Sequence, residues 1–394
     1  MTFKYPLATV TWGDEENQAM QRVISSGRFT MGENVLAFEA HFAEYIGAKY
    51  CVMVNSGSSA NLLIVATLFY TKNHKLKLMR GDEVIVPAVS WSTTYYPLYQ
   101  YGLKIKFVDI DLNTLNYDLA QLEEAVTDKT RMIMAVNLLG NPNEFSRINS
   151  IIGDRDIILI EDNCESLGAK YEGQFTGTFG VMGSFSTFFS HHISTMEGGM
   201  VVTDDEELYH ILLCLRAHGW TRNLPMVNKV TEKKNEKPFS ESFRFVLPGY
   251  NVRPLELEGA IGLEQLKRLP QIIAERRNNG KILQNVMAEH PDLMIQQEIG
   301  QSSWFGFSLV IRPGRELKRD QLVDMLNDVG FECRPIVAGN FAKNEVVKYF
   351  DAEIHGTLEN ASHIDKNGLF VGNHHYPICD AITELALINT QSGC

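Results

Sequence analysis

Several features are missing from this 394-residue chain, and each absence removes a class of function. No apolar run is long enough to cross a bilayer. The longest uncharged one, LLIVATLFY at 62–70, falls far short of the roughly 20 residues a spanning helix needs. The N-terminal MTFKYPLATVTW has no cationic segment followed by an apolar stretch, so no secretory signal is expected. Cysteine is sparse, with six at 51, 164, 214, 333, 379 and 394, and none forms a C-x-x-C pair. That usage points to a reducing, cytosolic compartment in which most of the thiols are buried as small hydrophobes. Positive charge is short as well. Thirty-six Lys and Arg against 48 Asp and Glu leave a net charge of -12. This argues against nucleic acid or an anionic membrane as the main partner. An anionic ligand must then be held by local donors and not by the global field. His374 and His375 are adjacent, and neighbours on a chain rarely face one ion, so no metal is expected there.

What is present fits a soluble enzyme with a sizeable core, at 44% hydrophobic and 21% charged residues. Short β-branched runs at 50–54, 83–86, 105–108, 132–136 and 157–160 read as strands. Helical patterns at 60–70, 93–101, 119–126 and 143–151 alternate with them. The alternation predicts a largely parallel sheet covered on both faces, with ligands gathered at the carboxyl ends of its strands. Further helices are expected at 15–25, 33–45 and 206–217, and a pair at 255–266 and 270–288 on either side of Pro270. A strand at 304–311 and a helix at 318–329 suggest a small α+β domain. The expected division is a large cofactor-binding domain, 1–268, and a small C-terminal domain, 269–394. The polar stretch NKVTEKKNEKPFSES at 228–242 reads as an exposed loop, solvated or used in substrate or subunit contact.

Chemistry gathers at the expected strand ends. Gly57 and Ser58, in VNSGSSANLL, follow a strand and open a helix, where exposed N–H groups and the positive helix end suit a phosphate. An ordinary serine N-cap reads the same way. Asp162, in ILIEDNCESLGA, ends an apolar strand, well placed to pair with a ring nitrogen, although a helix-capping role is the plainer alternative. Glu161 beside it should point the other way. Trp91, in VPAVSWSTTYY, is suited either to stacking on a planar ligand or to the core. Asn251, in GYNVRPLELEGAIGLEQL, is equally consistent with a turn.

Taken in order, these fragments resemble the fold-type I, pyridoxal-phosphate-dependent sugar aminotransferases named after DegT. The matching pieces are SSGRFTMGENVLAFEAHFAEYIGAKYCVMVNSGSSANLL, VIVPAVSWSTT, FVDID at 107–111, LIEDNCESLGAK, GSFSTFFSHHISTMEGG and GYNVRPLELEGAIGLEQL. They cover most of residues 1–270 and, more loosely, the rest. The resemblance implies a large domain with a mostly parallel mixed sheet flanked by helices, plus a small α+β domain. It also implies that Gly57, Ser58 and Ser186 hold the cofactor phosphate, that Asp162 pairs with the pyridine nitrogen and that Trp91 stacks on the ring. Asn251 would reach the phosphate of a second subunit, so a cytoplasmic homodimer is implied. Glu165 falls where the family often has glutamine near the cofactor's phenolic oxygen.

One departure changes the expected chemistry. The family keeps a lysine five residues after the strand serine and six before Glu-Gly-Gly. Counting from Ser186 or back from Glu197 reaches His191 both ways, with His192 as the neighbouring alternative. An imidazole cannot store the cofactor covalently, yet it can take and return protons near neutrality. Within the family a histidine here marks sugar 3-dehydratases, which remove a hydroxyl instead of placing an amine. The implied substrate is a GDP-linked 4-keto-6-deoxy sugar on the route to colitose in an O-antigen. L-Glutamate would convert pyridoxal 5'-phosphate to pyridoxamine 5'-phosphate. A related branch carries a [2Fe–2S] cluster, but the stretch 219–242 after His218 holds no cysteine, so no iron–sulfur cluster is expected. His218, Arg222, Arg253, Glu332 and Arg334 are candidate substrate or subunit contacts. Two other readings stay open: a 4-aminotransferase working without lysine, and a non-catalytic cofactor-binding regulator.

Overall fold

The computed structural model describes residues 3–388; Cys394 lies outside them. The chain begins with α1 (Asp14–Ser26) and α2 (Glu33–Ile46), each closed by a left-handed glycine, Gly27 and Gly47. Next come β1 (Tyr50–Val54), α3 (Gly57–Tyr70), β2 (Glu83–Pro87), α4 (Ser92–Gln100), β3 (Lys104–Val108), α5 (Leu119–Ala125), β4 (Thr130–Val136), α6 (Phe145–Ile152) and β5 (Ile158–Asp162). The large unit continues with β6 (Gly183–Ser186), β7 (Gly199–Thr203), α7 (Glu206–Arg216) and α8 (Glu256–Met287). The remainder holds β8 (Leu293–Met294), β9 (Gly306–Ile311), α9 (Arg319–Asp328), β10 (Cys333–Arg334), β11 (Ala352–Ile354), α10 (Glu359–Asn367), β12 (Gly368–Gly372) and α11 (Cys379–Ala386).

Eight strands form the main sheet in the order β1-β7-β6-β5-β4-β2-β3-β11. Every neighbouring pair is parallel except those of β7, which runs antiparallel to β1 and β6. The strands read as continuous Val, Ile and Met runs because both faces are covered. Helix α3 shows how this places the site. Leu63, Ile64, Val65 and Ala66 are all fully buried, so the helix has no solvent face and lies inside the core. The three larger of these side chains, Leu63, Ile64 and Val65, each contribute about 1.5–3 kcal/mol relative to exposure. That burial fixes the N-terminus of α3 at the carboxyl end of β1, the sheet edge where ligands collect. The smaller sheet runs β8-β9-β12-β10, and α9 and α11 pack into its apolar cluster.

Two expectations are corrected. The helices expected at 255–266 and 270–288 are a single 32-residue helix, α8, with Pro270 in its interior. An interior proline costs about 3 kcal/mol. Packing offsets it, since Leu266, Leu269, Ile272 and Ile273 join Val35, Phe38 and Phe42 in one buried cluster. The cysteines are also less buried than expected. Cys51 and Cys214 are in the core, Cys164 and Cys333 are partly covered, and Cys379 is exposed.

The expected boundary after 268 falls inside α8. The opening residues pair with the second half of the chain, with Tyr5 N donating to Gly330 O at 2.9 Å and Glu332 N to Tyr5 O at 3.0 Å. Strand β11 in turn extends the main sheet beside β3. Among the described residues no helix is long and apolar enough to cross a membrane.

Candidate active site

A cavity of about 510 Å³ opens where β5, β6 and the starts of α3 and α4 meet residues 305, 334, 335, 337 and 370 of the smaller sheet's layer. Gly57, Ser58, Trp91, Asp162, Glu165, Ser186, His191 and Arg334 all line it, so eight of the expected positions converge from distant parts of the chain.

The start of α3 forms one wall. Ser56 caps the helix, its hydroxyl accepting from Ser59 N at 3.1 Å, while Ser58 Oγ donates to Thr93 Oγ1 at 2.9 Å. Gly57 packs so tightly that a Cβ there would lie 2.7 Å from Ser186 Cβ. The first-turn amides of a buried 14-residue helix therefore face the cavity beside a serine hydroxyl, an arrangement suited to an anion.

Asp162 ends β5 and is 6% exposed. Its Oδ2 accepts from Thr94 Oγ1 at 2.7 Å and Asn61 Nδ2 at 2.8 Å, and Oδ1 accepts from Cys164 N at 3.2 Å. Ser184 Oγ also donates to Oδ1, at 3.5 Å; all four donors are neutral, and no ion pair to Asp162 forms among the described residues. Glu161 faces the other side of the sheet, accepting from the backbone of Gly177, Phe179 and Gly180, as strand alternation requires. Trp91 is 58% exposed at the mouth and is no core tryptophan.

The segment from Thr187 to Gly198 carries the histidines. It is pinned at its base by Thr187 N to Gly198 O at 3.0 Å and by the Thr187–Thr195 hydroxyl pair at 2.6 Å. Phe188 O accepts from His191 N at 2.9 Å and tightens the turn. The two imidazoles then part. His192 is fully buried, with Nε2 on Ser303 O at 3.1 Å. His191 opens to the cavity, and its Nδ1 is buried without a hydrogen-bond partner. Phe305 packs against the His191 ring with centroids 5.1 Å apart. Desolvation, joined by the positive charge of Arg276, pushes His191 down to about 3, so its imidazole is neutral.

Glu165 lies on the same floor, its Oε2 accepting from Leu139 N at 3.0 Å. Burial, with Asp162's charge adding to it, lifts its carboxyl to about 7 against that stabilising N–H.

Five expected contacts lie outside the cavity lining of this single chain. Asn251 accepts from Arg253 Nε at 2.9 Å on the surface. His218 and Arg222 both pack on Trp220, the guanidinium 4.4 Å from its ring. Glu332 accepts from Leu7 N at 3.0 Å and pairs at 3.6 Å with Arg334, which lines the cavity in front of it. Sequence reasoning passed over Asn61, Thr94, Ser190 and Phe305. A signal existed for Asn61 and Thr94: each is a polar residue in the first turns of a helix that follows a strand end. Phe305 carried none, because only the tertiary fold brings it to His191.

This chain belongs to the DegT/DnrJ/EryC1/StrS aminotransferase family, whose pattern matches residues 11–379. It is 62% identical to the GDP-4-keto-6-deoxy-D-mannose 3-dehydratase of Escherichia coli O55:H7, over 97% of this chain and 98% of that one. A solved structure of E. coli GDP-4-keto-6-deoxy-D-mannose-3-dehydratase with bound hydrated PLP superposes with a TM-score of 0.97 at 61% identity, covering 98% of this chain and 100% of that one. Another, of GDP-4-keto-6-deoxymannose-3-dehydratase with a trapped PLP-glutamate geminal diamine, gives 0.96 at 61% identity over the same shares.

Proposed function

We propose that this chain is a pyridoxal-phosphate-dependent nucleotide-sugar 3-dehydratase. It removes the C3 hydroxyl of GDP-4-keto-6-deoxy-D-mannose to give GDP-4-keto-3,6-dideoxymannose, a step toward GDP-colitose. L-Glutamate leaves as 2-oxoglutarate and ammonia, and its oxidation balances the oxygen lost from the sugar. The observation that carries this reading is His191, a neutral imidazole lining the cavity at the position where the family resemblance expects lysine.

The site's own chemistry fits the cofactor. The close approach of Gly57 to Ser186 shapes a cradle that a larger side chain would fill. Asp162 offers a carboxylate without a cationic partner, and Trp91 an exposed flat ring. When bound, such a cofactor supplies an amine that condenses with a ketone and a conjugated ring that accepts electrons. Gly57, Ser58 and Ser186 would bind its phosphate. Asp162, oriented by Asn61 and Thr94, would hold the ring nitrogen protonated. Trp91 would cover one face of the ring and Glu165 would sit beside it.

His191 takes a proton from the carbon next to the ring and returns one to the hydroxyl leaving C3. The neutral form is ready to accept. An anionic phosphate in the cavity favours the protonated form and so eases the first transfer. With histidine at 191, no side-chain amine at that position would compete for the cofactor's aldehyde.

Asn251 and the nearby His218, Arg222 and Arg253 serve the partner's site in a cytoplasmic homodimer. Exposed Phe239, Phe243 and Phe245 on the adjoining loop support a second copy covering this face. Arg334 approaches the sugar from the small domain, with Glu332 paired behind it. The test is incubation with cofactor, glutamate and the GDP-keto sugar, followed by mass spectrometry. A keto product lacking one oxygen, at C3, supports the assignment; a product retaining nitrogen at C4 overturns it.

A further inference from the structure

We infer that Arg276 is a positioning residue for His191: from α8 it grips the backbone of Trp304 and Phe305 and so holds the Phe305 ring against the imidazole. The inference rests on the proposed role of His191 and adds a residue outside the cavity lining to it. Arg276 is 5% exposed, and its Nη1 donates to Phe305 O at 2.9 Å and Trp304 O at 3.4 Å. Asn373 Nδ2 binds the same Trp304 carbonyl at 2.8 Å and the carbonyl of Arg276 itself at 3.1 Å.

The gripped segment is held from its other side by residues 139–140. Leu139 O accepts from Phe305 N at 3.1 Å and Gly140 O from Ser303 N at 2.9 Å. The fit is close enough that a Cβ on Gly140, where φ is +93°, would lie 2.6 Å from Trp304 N. Phe305 then meets His191 at 5.1 Å and His192 at 5.7 Å, while Ser303 O takes the His192 ring nitrogen. The guanidinium thus fixes, together with Asn373 and residues 139–140, the wall on which both imidazoles rest.

Stability alone does not account for this arginine. No carboxylate pairs with it among the described residues, and its Nε has no partner, so the buried charge is compensated only by carbonyl dipoles. The charge does have an electrostatic consequence. It opposes protonation of His191, His192, His374 and His375 together. Arg277 adds to this at His192 and Arg268 at His375. Asp162, Glu165 and Glu197 face His191 across the cavity. Arg276 therefore places the His191 ring and adds its charge to the burial that keeps the imidazole in the proton-accepting form.

The test uses the full-length protein, with cofactor bound and after its removal, and ring-labelled histidine NMR with His191 assigned through His191→Asn. Arg276→Gln keeps an N–H donor for Phe305 O and loses the charge; Arg276→Lys keeps the charge. In the wild-type cofactor-free chain His191 should stay neutral through the range where free histidine titrates, about 6.5. In Arg276→Gln its proton affinity should rise at least tenfold. The acid limb of the glutamate half-reaction should shift up with it, and the melting temperature should hold. Arg276→Lys should behave as wild type. A wild-type His191 titrating normally overturns the inference whether or not the variants fold, as does a folded Arg276→Gln with an unchanged titration. If the sugar is still dehydrated, the proposed function survives that result. Absence of dehydration with the His191 behaviour intact removes the function and leaves the electrostatics standing.

Discussion

A Cβ placed on Gly57 would sit 2.7 Å from the Cβ of Ser186 and 2.9 Å from the Cys164 sulfur. The backbone of the first turn of α3 therefore packs directly on the Ser186 side chain at the end of β6, and its amides and that hydroxyl share one small volume. Gly57→Ala must push them apart, at about 1–3 kcal/mol for an overpacked site. We expect the cofactor's dissociation constant to rise at least tenfold in an absorbance titration, with a lower melting temperature for the cofactor-free chain. Unchanged affinity would place the phosphate elsewhere.

Asp162 depends on two side chains that hold its Oδ2, Asn61 at 2.8 Å and Thr94 at 2.7 Å. Asp162→Asn keeps the shape and removes the charge that would stabilise a protonated ring. A charge-assisted hydrogen bond is worth about 1.5–3 kcal/mol, so the glutamate half-reaction should slow by about 10- to 100-fold. Thr94→Val leaves the charge but removes one donor, and should cost nearer 1 kcal/mol. Single-turnover rates rank the three proteins, and an Asp162→Asn enzyme as fast as wild type would end the assignment.

His191 and His192 are separable because only one faces the cavity. His191→Asn should lose about 10²–10⁴ in the half-reaction, the usual range for a general acid–base. His191→Lys should bind the cofactor aldehyde covalently, as a borohydride-reducible adduct located by peptide mass spectrometry, and should not dehydrate the sugar. His192→Asn breaks the contact to Ser303 O and should lower stability by about 1 kcal/mol while sparing the rate. Dehydration surviving in His191→Lys would remove that residue from the mechanism.

Much of this was legible in the chain because strand-end chemistry is local. Asp162 closes an apolar run, Gly57 follows one and opens a helix, and Ser186 fixes the count to His191. What the sequence hid was long-range. The two-helix reading around Pro270 followed the local rule for proline, and burial of Leu266, Leu269 and Ile272 against α2 outweighed it. Phe305 and Arg276 carry no motif, since their meaning comes from where α8 and β9 pack. The cysteine expectation failed at Cys379 because that residue starts the surface helix α11.

Glu165 gives the pH dependence its sign. Its carboxyl is lifted to about 7 in the folded chain, from about 4.3 when unfolded. Between those values the native state holds a proton that the unfolded state has released. Stability from this group is therefore intact below about pH 4.3 and is lost as pH rises toward 7. Glu165→Gln keeps an acceptor for Leu139 N and removes the titration. The cofactor-free variant should be more stable than wild type by about 1–3 kcal/mol at pH 8, with the gap closing near pH 4.5. Denaturant melts at both pH values measure it. A gap of equal size at the two would mean that Glu165 is ionised in the folded protein and that its role beside the cofactor must be drawn as an acceptor alone.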